Sequence, residues 1–311
     1  MRTTPAQYLT QATFGLNKSF ENLTKLNVKK FLSSGIFNVS TGAEFTKNWT
    51  STESLSGAKQ LGDAENPPVV SLQDGYPVTL EAKRFGSAIE INEREMREML
   101  ASGKFGQRID EYYKKQERAM KRNIDFLMVR DTAFDLWNNA FVDTKYTSPD
   151  GIALCGVHVY KSGATFENSK TGKLTTTNVD IGYEYAGTFK DGENLNDPLN
   201  FDIVLVQLGS ENSRSAKRIF NSNIVPETVG NVNIYQGDRV KIVEVPFLTD
   251  VDHWFMIDSS RYEGLPYIGI VEAPTLKAPI IQNNQGIRQN ATGFWQYGHI
   301  DLPTGILGFS G

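Results

Sequence analysis

Cysteine is nearly missing from this chain. Cys155 is the single one in 311 residues, so no disulfide forms within the chain, and a reducing compartment suits that count. Histidine is scarce as well: His158, His253 and His299 lie far apart. Cys155 and His158 make an isolated C-x-x-H, whereas a structural zinc needs four ligands. No stretch approaches the roughly 20 apolar residues of a membrane-spanning helix, and Met1–Ala6 has no apolar signal core. A basic excess is also lacking. With 32 Lys and Arg against 36 Asp and Glu the formal net charge is −4, which argues against a dedicated nucleic-acid binder and leaves only local, nonspecific contact. A phosphate loop fails on spacing: Leu174 follows Gly172 and Lys173 where Ser or Thr is required, and Glu167 stands where the first Gly belongs. The expectation from these gaps is that no residue serves catalysis, a cofactor or a metal.

What remains is ordinary globular composition, 39% hydrophobic and 22% charged, which excludes disorder or coiled coil for the bulk. The length suggests about two domains, or one with large excursions. The 27 glycines and 12 prolines fall mostly between short apolar runs, the pattern of many strands and turns.

Along the chain, residues 1–34 are polar and basic, with Lys18, Lys25, Lys29 and Lys30 against Glu21. They read as an arm that packs on something else. Phe45 and Trp49 mark a strand near Ala43–Thr50; Ser51–Pro68 is polar, with Leu55 and Leu61 its large apolar residues; strand-like sequence resumes over Val69–Phe85. This reads either as a long hairpin with a polar tip, which needs outside contacts because a two-stranded ribbon is marginal alone, or as a mobile surface loop. The hairpin reading makes Gly57, Lys59, Leu61, Asp63 and Glu65 the candidate inter-subunit contact.

Asn92 and Glu95 begin a short helix that ends by Gly103. From Phe105 to Trp137 the apolar residues Ile109, Tyr112, Tyr113, Met120, Ile124, Leu127 and Phe134 recur near helical spacing. Asp110–Lys114, Glu111–Lys115 and Glu117–Lys121 are acid-before-base pairs four apart. The pattern predicts one unbroken helix of about 45 Å. Beyond it, residues 161–200 give no clear pattern. Phe201–Leu208 is a buried-strand candidate; Ala216, Ile219 and Phe220 mark a short amphipathic helix; Val232–Tyr235, Val240–Val245 and Trp254–Ile257 read as strands.

Two other constellations have simpler readings. Asp250, Asp252 and Asp258 near His253 form an acid/base cluster only if the chain brings them together, and Asp250–Asp252 is more simply a turn before a strand. Phe294–Tyr297 alternates as a core strand does.

The order of these features resembles the major capsid proteins of tailed bacteriophages, including the Mu-like major head subunit group. Lys83–Ile91 looks like that family's strand entering its first helix, and Asp150–Cys155 like the turn after its spine helix. Ile203–Val206 with the Ala216–Phe220 helix is similar to its strand-then-helix unit. Asn233–Gly237, Trp254–Asp258 and Glu263–Pro266 match later segments. The resemblance implies an α+β fold: an N-terminal arm (1–40), an extended β-hairpin loop (41–84), a peripheral domain with the spine helix (85–200), an axial domain (201–282) and a C-terminal return to the core (283–311). It also implies self-assembly through pentamers and hexamers into an icosahedral shell around double-stranded DNA. The setting would be a virion assembled in the bacterial host cytoplasm, with portal, scaffold or decoration proteins as further partners and no membrane. Some relatives weld subunits through a Lys–Asn bond assisted by a Glu. Lys47, Lys59, Asn283, Asn284 and Asn290 are available here, but no Glu follows Glu272, which argues against such a crosslink. An encapsulin-like compartment shares the fold. A soluble hydrolase using Asp252, His253 and Asp258, or a β-rich binding module, are the readings from other classes.

Overall fold

The computed structural model describes residues 32–55, 72–91, 94, 98, 101, 119, 126–142, 145–222, 235, 240–277, 280–281 and 287–311. The arm up to residue 31, the residues between 56 and 71, most of the short helix near 92–103, and residues 232–234 lie outside them. So does most of the predicted 105–137 helix. Its described end is helical to Asn138, but Phe126–Ala133 is wound as a π-helix, continuing as α1 (Phe134–Asn138). The Thr132 hydroxyl donates to the Met128 carbonyl at 2.6 Å, a back-bond of the kind that perturbs regular winding. The apolar stripe specifies which face is buried and not how tightly the backbone winds.

Two five-stranded sheets organise the body. One holds β8 (Ile203–Gln207), β9 (Lys241–Val245), β10 (Trp254–Ile257), β14 (Ile306–Ser310) and β7 (Ser169–Thr171), in the order β7-β14-β10-β8-β9. β10 lies antiparallel to both β8 and β14, while β8–β9 and β14–β7 are parallel. Every residue of β10 is buried, as are the first four of β8 and β14. Continuous apolar runs mark strands covered on both faces, and side chains sort by parity. Ile203, Leu205, Phe255, Ile257 and Ile306 face a core completed by Phe134, Leu136 and Trp137 of α1. Val204, Val206, Trp254, Met256, Leu307 and Phe309 face α2 (Thr176–Thr188) and α3 (Glu211–Asn221), which contribute Val179, Ala186, Ala216, Ile219 and Phe220. α3 is the amphipathic helix expected from sequence; Ser210 caps it, accepting from the Ser213 N–H at 3.0 Å. In α2, Gly182 presses on the sheet: a Cβ there would sit 2.4 Å from the Met256 sulfur.

The second sheet is built on β13 (Ile287–Gly298). β4 (Lys83–Ile91) pairs along one edge, and β11 (Tyr267–Leu276) and β12 (Ile280–Ile281) along the other. β1 (Asn38–Thr41) runs parallel to β11. Phe85 of β4 stacks on Trp295 of β13 with ring centroids 3.9 Å apart. Trp295 joins the same core as Trp137, so α1 ties the two sheets together. Both sheets draw strands from either side of residue 200: β7 lies with β8, and β4 with β11.

Candidate assembly surface

β2 (Thr46–Leu55) and β3 (Leu72–Glu81) pair antiparallel, from Thr46 opposite Glu81 to Leu55 opposite Leu72, with irregularities after Thr50 and Thr52. The stems of the long hairpin are therefore present, and β2 extends further toward the tip than the sequence reading, which ended that strand at Thr50. The candidate contact residues Gly57, Lys59, Leu61, Asp63 and Glu65 lie outside the described residues. In the stems, exposure alternates as a ribbon requires: Lys47, Trp49, Val78 and Leu80 are half-buried on one side, while Thr46, Asn48, Thr50, Pro77, Thr79 and Glu81 are exposed on the other. No residue of 46–50 or 76–81 is fully buried. The half-buried side leans on the body. Lys47 reaches over the Trp49 and Tyr267 rings at 4.9 and 5.7 Å, and Leu80 packs on Gly298, where a Cβ would come within 2.9 Å. Farther out, Tyr76 donates to the Val159 carbonyl and Lys161 to the Gly75 carbonyl. Val159 belongs to a small hairpin of β5 (Val157–Val159) and β6 (Thr165–Glu167).

A cavity of about 450 Å³ opens at the hairpin root, between β3, residues 145–149 and the end of β13. Its walls include Pro77, Leu80 and Pro149, with Lys83, Ser148 and His299 among its polar groups. The Lys83 ammonium donates to the Tyr297 hydroxyl at 3.3 Å and lies over the same ring. Lys145 pairs with Asp135, which also accepts from the Tyr146 hydroxyl at 2.8 Å. Ser148 and His299 are 2% and 4% exposed, yet neither the Ser148 hydroxyl nor either His299 nitrogen has a hydrogen-bond partner among the described residues. Burial, reinforced by the nearby His158 imidazole, pushes His299 down to about 4. None of these three residues stood out in the sequence as a site; they come from separate segments, and no local spacing links them.

The chemical candidates resolve differently. Cys155 is buried, and burial pushes its thiol well above the usual range despite the Gly308 backbone N–H, the reverse of what a nucleophile needs. His158 turns instead to Asp150, with Nδ1 2.9 Å from Oδ2, and to the Leu154 carbonyl at 3.3 Å. Burial alone would raise the Asp150 carboxyl. The hydrogen bond and charge of His158, with the Val159 and Ile152 N–H groups, outweigh it and hold the carboxyl below its ordinary value. Asp150 is the partner that the isolated Cys155–His158 spacing did not reveal.

Strand β10 separates the other cluster. His253 and Asp250 pair at 3.3 Å before it, and Asp252 meets Lys173 at 3.5 Å. Asp258 lies beyond it, accepting from the Asn200 and Ser260 N–H groups. Asp252 accordingly belongs to a turn, its N–H donating to Asp250 at 2.9 Å. Among the described residues no three His, Cys, Asp or Glu side chains gather to hold a metal, and no helix is long and apolar enough to cross a membrane. Asn290 accepts from Arg288 at 3.1 Å; Lys59, Asn283 and Asn284 lie outside the described residues.

No family model and no curated protein sequence matches the chain. Solved structures do. The capsid of Myoviridae phage XM1 aligns with a TM-score of 0.54 at 15% identity, over 91% of each chain. The capsid structure of cyanophage P-SCSP1u aligns at 0.50 and 8% identity, over 88% of this chain and 86% of its own. The virus-like particle from Pyrococcus furiosus gives 0.48 at 9% identity, over 96% and 99%. Nearly the whole length is matched at an identity that carries the fold alone, and the chain has the α+β fold of the phage major capsid subunit.

Proposed function

We propose that this chain is a major head subunit, a structural protein that self-assembles into an icosahedral shell enclosing double-stranded DNA in a virion. The observation that carries this reading is the alignment with the XM1 capsid over 91% of both chains. The hairpin supports it physically: its stems bury no residue fully in 46–50 or 76–81, so they offer interface to a neighbour. A near-balanced surface charge suits close packing of identical copies. In this reading the arm is 1–40, the hairpin loop 41–84, the peripheral domain 85–200, the axial domain 201–282 and the return 283–311. Gly57, Lys59, Leu61, Asp63 and Glu65 meet a neighbouring copy, and no side chain performs catalysis. DNA is touched without sequence preference.

Electron microscopy of the purified chain, with sedimentation, tests the proposal. Closed particles are expected; monodisperse monomers at all concentrations overturn it. Packaged DNA against packaged protein then separates a phage head from an encapsulin-like compartment.

A further inference from the structure

His299 sits where the hairpin meets the body, in the wall of the cavity at the hairpin root. Both its nitrogens are shut off from solvent and have no partner among the described residues. A neutral imidazole tolerates that place; an imidazolium does not. The surrounding groups give a positive ring no relief. Lys83 of β4, Lys145 and Tyr146 of the segment after α1, and Tyr297 of β13 line the same cavity, and no carboxylate lines it among the described residues. The carboxylates bonded to these neighbours are already engaged, Asp135 by Lys145 and Tyr146, Asp150 by His158 of β5. His158 itself acts against a charge on His299. Once protonated, His299 must reach water.

The hairpin is the element that yields. Lifting it exposes little core, because no residue of 46–50 or 76–81 is fully buried, whereas opening either sheet breaks into the two apolar clusters. The same movement hydrates other buried groups without partners at this joint: Trp49 Nε1 on the hairpin, the Tyr267 hydroxyl on β11 and Gln296 Oε1 on β13. These residues are at the seat itself. Lys47 lies over the Trp49 and Tyr267 rings, and the Gln296 amide donates to the Glu44 carbonyl at the base of β2 at 2.6 Å. Water satisfies what the seated hairpin leaves unpaired. We propose that the hairpin root is an acid-released latch: the β2–β3 hairpin stays seated while His299 is neutral, and protonation of His299 lets it lift as a unit while both sheets stay folded. The inference concerns the single subunit and stands apart from the shell reading.

Hydrogen exchange of unassembled subunits, corrected for the intrinsic rate at each pH and read by mass spectrometry, tests the latch. Peptides covering 46–55 and 72–81 report the hairpin; those covering 203–207 and 254–257 report the body. A ring held neutral down to about 4 when closed, and titrating at roughly 6.5 when open, makes opening about 20-fold more frequent at about pH 5 than at about pH 7. The wild-type hairpin should lose about that much protection while the body peptides keep theirs. In His299→Leu and His299→Gln the hairpin should keep its protection at both pH values; circular dichroism shows that each variant is folded, and either one suffices as the control. Three results overturn the latch: equal losses in hairpin and body of the wild type, wild-type hairpin protection that does not change with pH, or equal release of the hairpin in a folded variant that cannot titrate at position 299.

Discussion

His299 makes the stability of the unassembled subunit depend on pH from about 6.5 down toward about 4, a window that lies mostly above the ordinary carboxylate values. Its imidazole is held neutral in the folded state, down to about 4, against roughly 6.5 in an unfolded chain. Between those two values the unfolded state binds the extra proton, so stability rises with pH across the window and falls as pH drops from about 6.5 toward about 4. Integrated from pH 7 to about 4.5, the loss is about 2–3 kcal/mol. His299→Leu removes the titration and also two unpartnered buried nitrogens. The variant should therefore be as stable as the wild type near neutrality, or more so, and its profile should be flatter across the window. Urea unfolding of unassembled subunits, followed by tryptophan fluorescence from about pH 7 to about 4.5, measures this. The wild-type midpoint should fall by on the order of 1 M more than that of the variant. Wild type and variant falling in parallel would refute the reasoning, because the acid sensitivity would then lie elsewhere. Asp150 and Glu244, both held below their ordinary values, the latter by Lys217 and Ser213, contribute stability that is present above the usual carboxylate range. They lose it as pH falls through their folded values, so both proteins still unfold in stronger acid.

Four further outcomes are expected. Asp150→Ala, which leaves the fully buried His158 without its 2.9 Å partner, should cost about 3–5 kcal/mol by denaturant melts; a cost under about 1 kcal/mol would mean the pair is not held as described. Gly182→Ala gains about 1 kcal/mol in helix propensity but places a methyl 2.4 Å from the Met256 sulfur, so about 1–3 kcal/mol of overpacking should win, and adding Met256→Ala should abolish that clash term in a double-mutant cycle. Cys155 should resist iodoacetamide in the native subunit at mildly alkaline pH and react fully in urea, as mass spectrometry would show; rapid native labelling would contradict its burial. Deleting Ser54–Asn66 should leave a folded subunit, with circular dichroism close to wild type, whose particle yield collapses; normal particles would remove the hairpin tip from the interface.

Local pattern alone was enough for several elements. The apolar runs Ile203–Val206 and Trp254–Ile257 announce strands covered on both faces, and their alternate residues duly divide between two cores. The polar stretch between two strand-like segments places the paired stems of the hairpin. α3 is legible because Ala216, Ile219 and Phe220 share one face. α2 was not legible. Thr176, Thr177 and Val179 disfavour helix, Gly182 and Gly187 more so, and the segment is held helical by the Thr175 cap and by packing of Val179, Gly182 and Ala186 on the sheet. The π-winding of Phe126–Ala133 leaves the same apolar stripe as an α-helix would. The cavity at the hairpin root lies furthest from the sequence signal. Lys83, Ser148 and His299 sit on three distant segments, and whether a histidine is a satisfied core residue or an unpartnered donor depends on what the tertiary fold packs around each nitrogen. Sequence by itself marked individual strands and helices, because burial on one face or two leaves a period in the chain, while the class of architecture was what the resemblance implied. Which polar groups end up buried without a partner was decided only by tertiary structure, because hydrogen bonding between distant segments leaves no period at all.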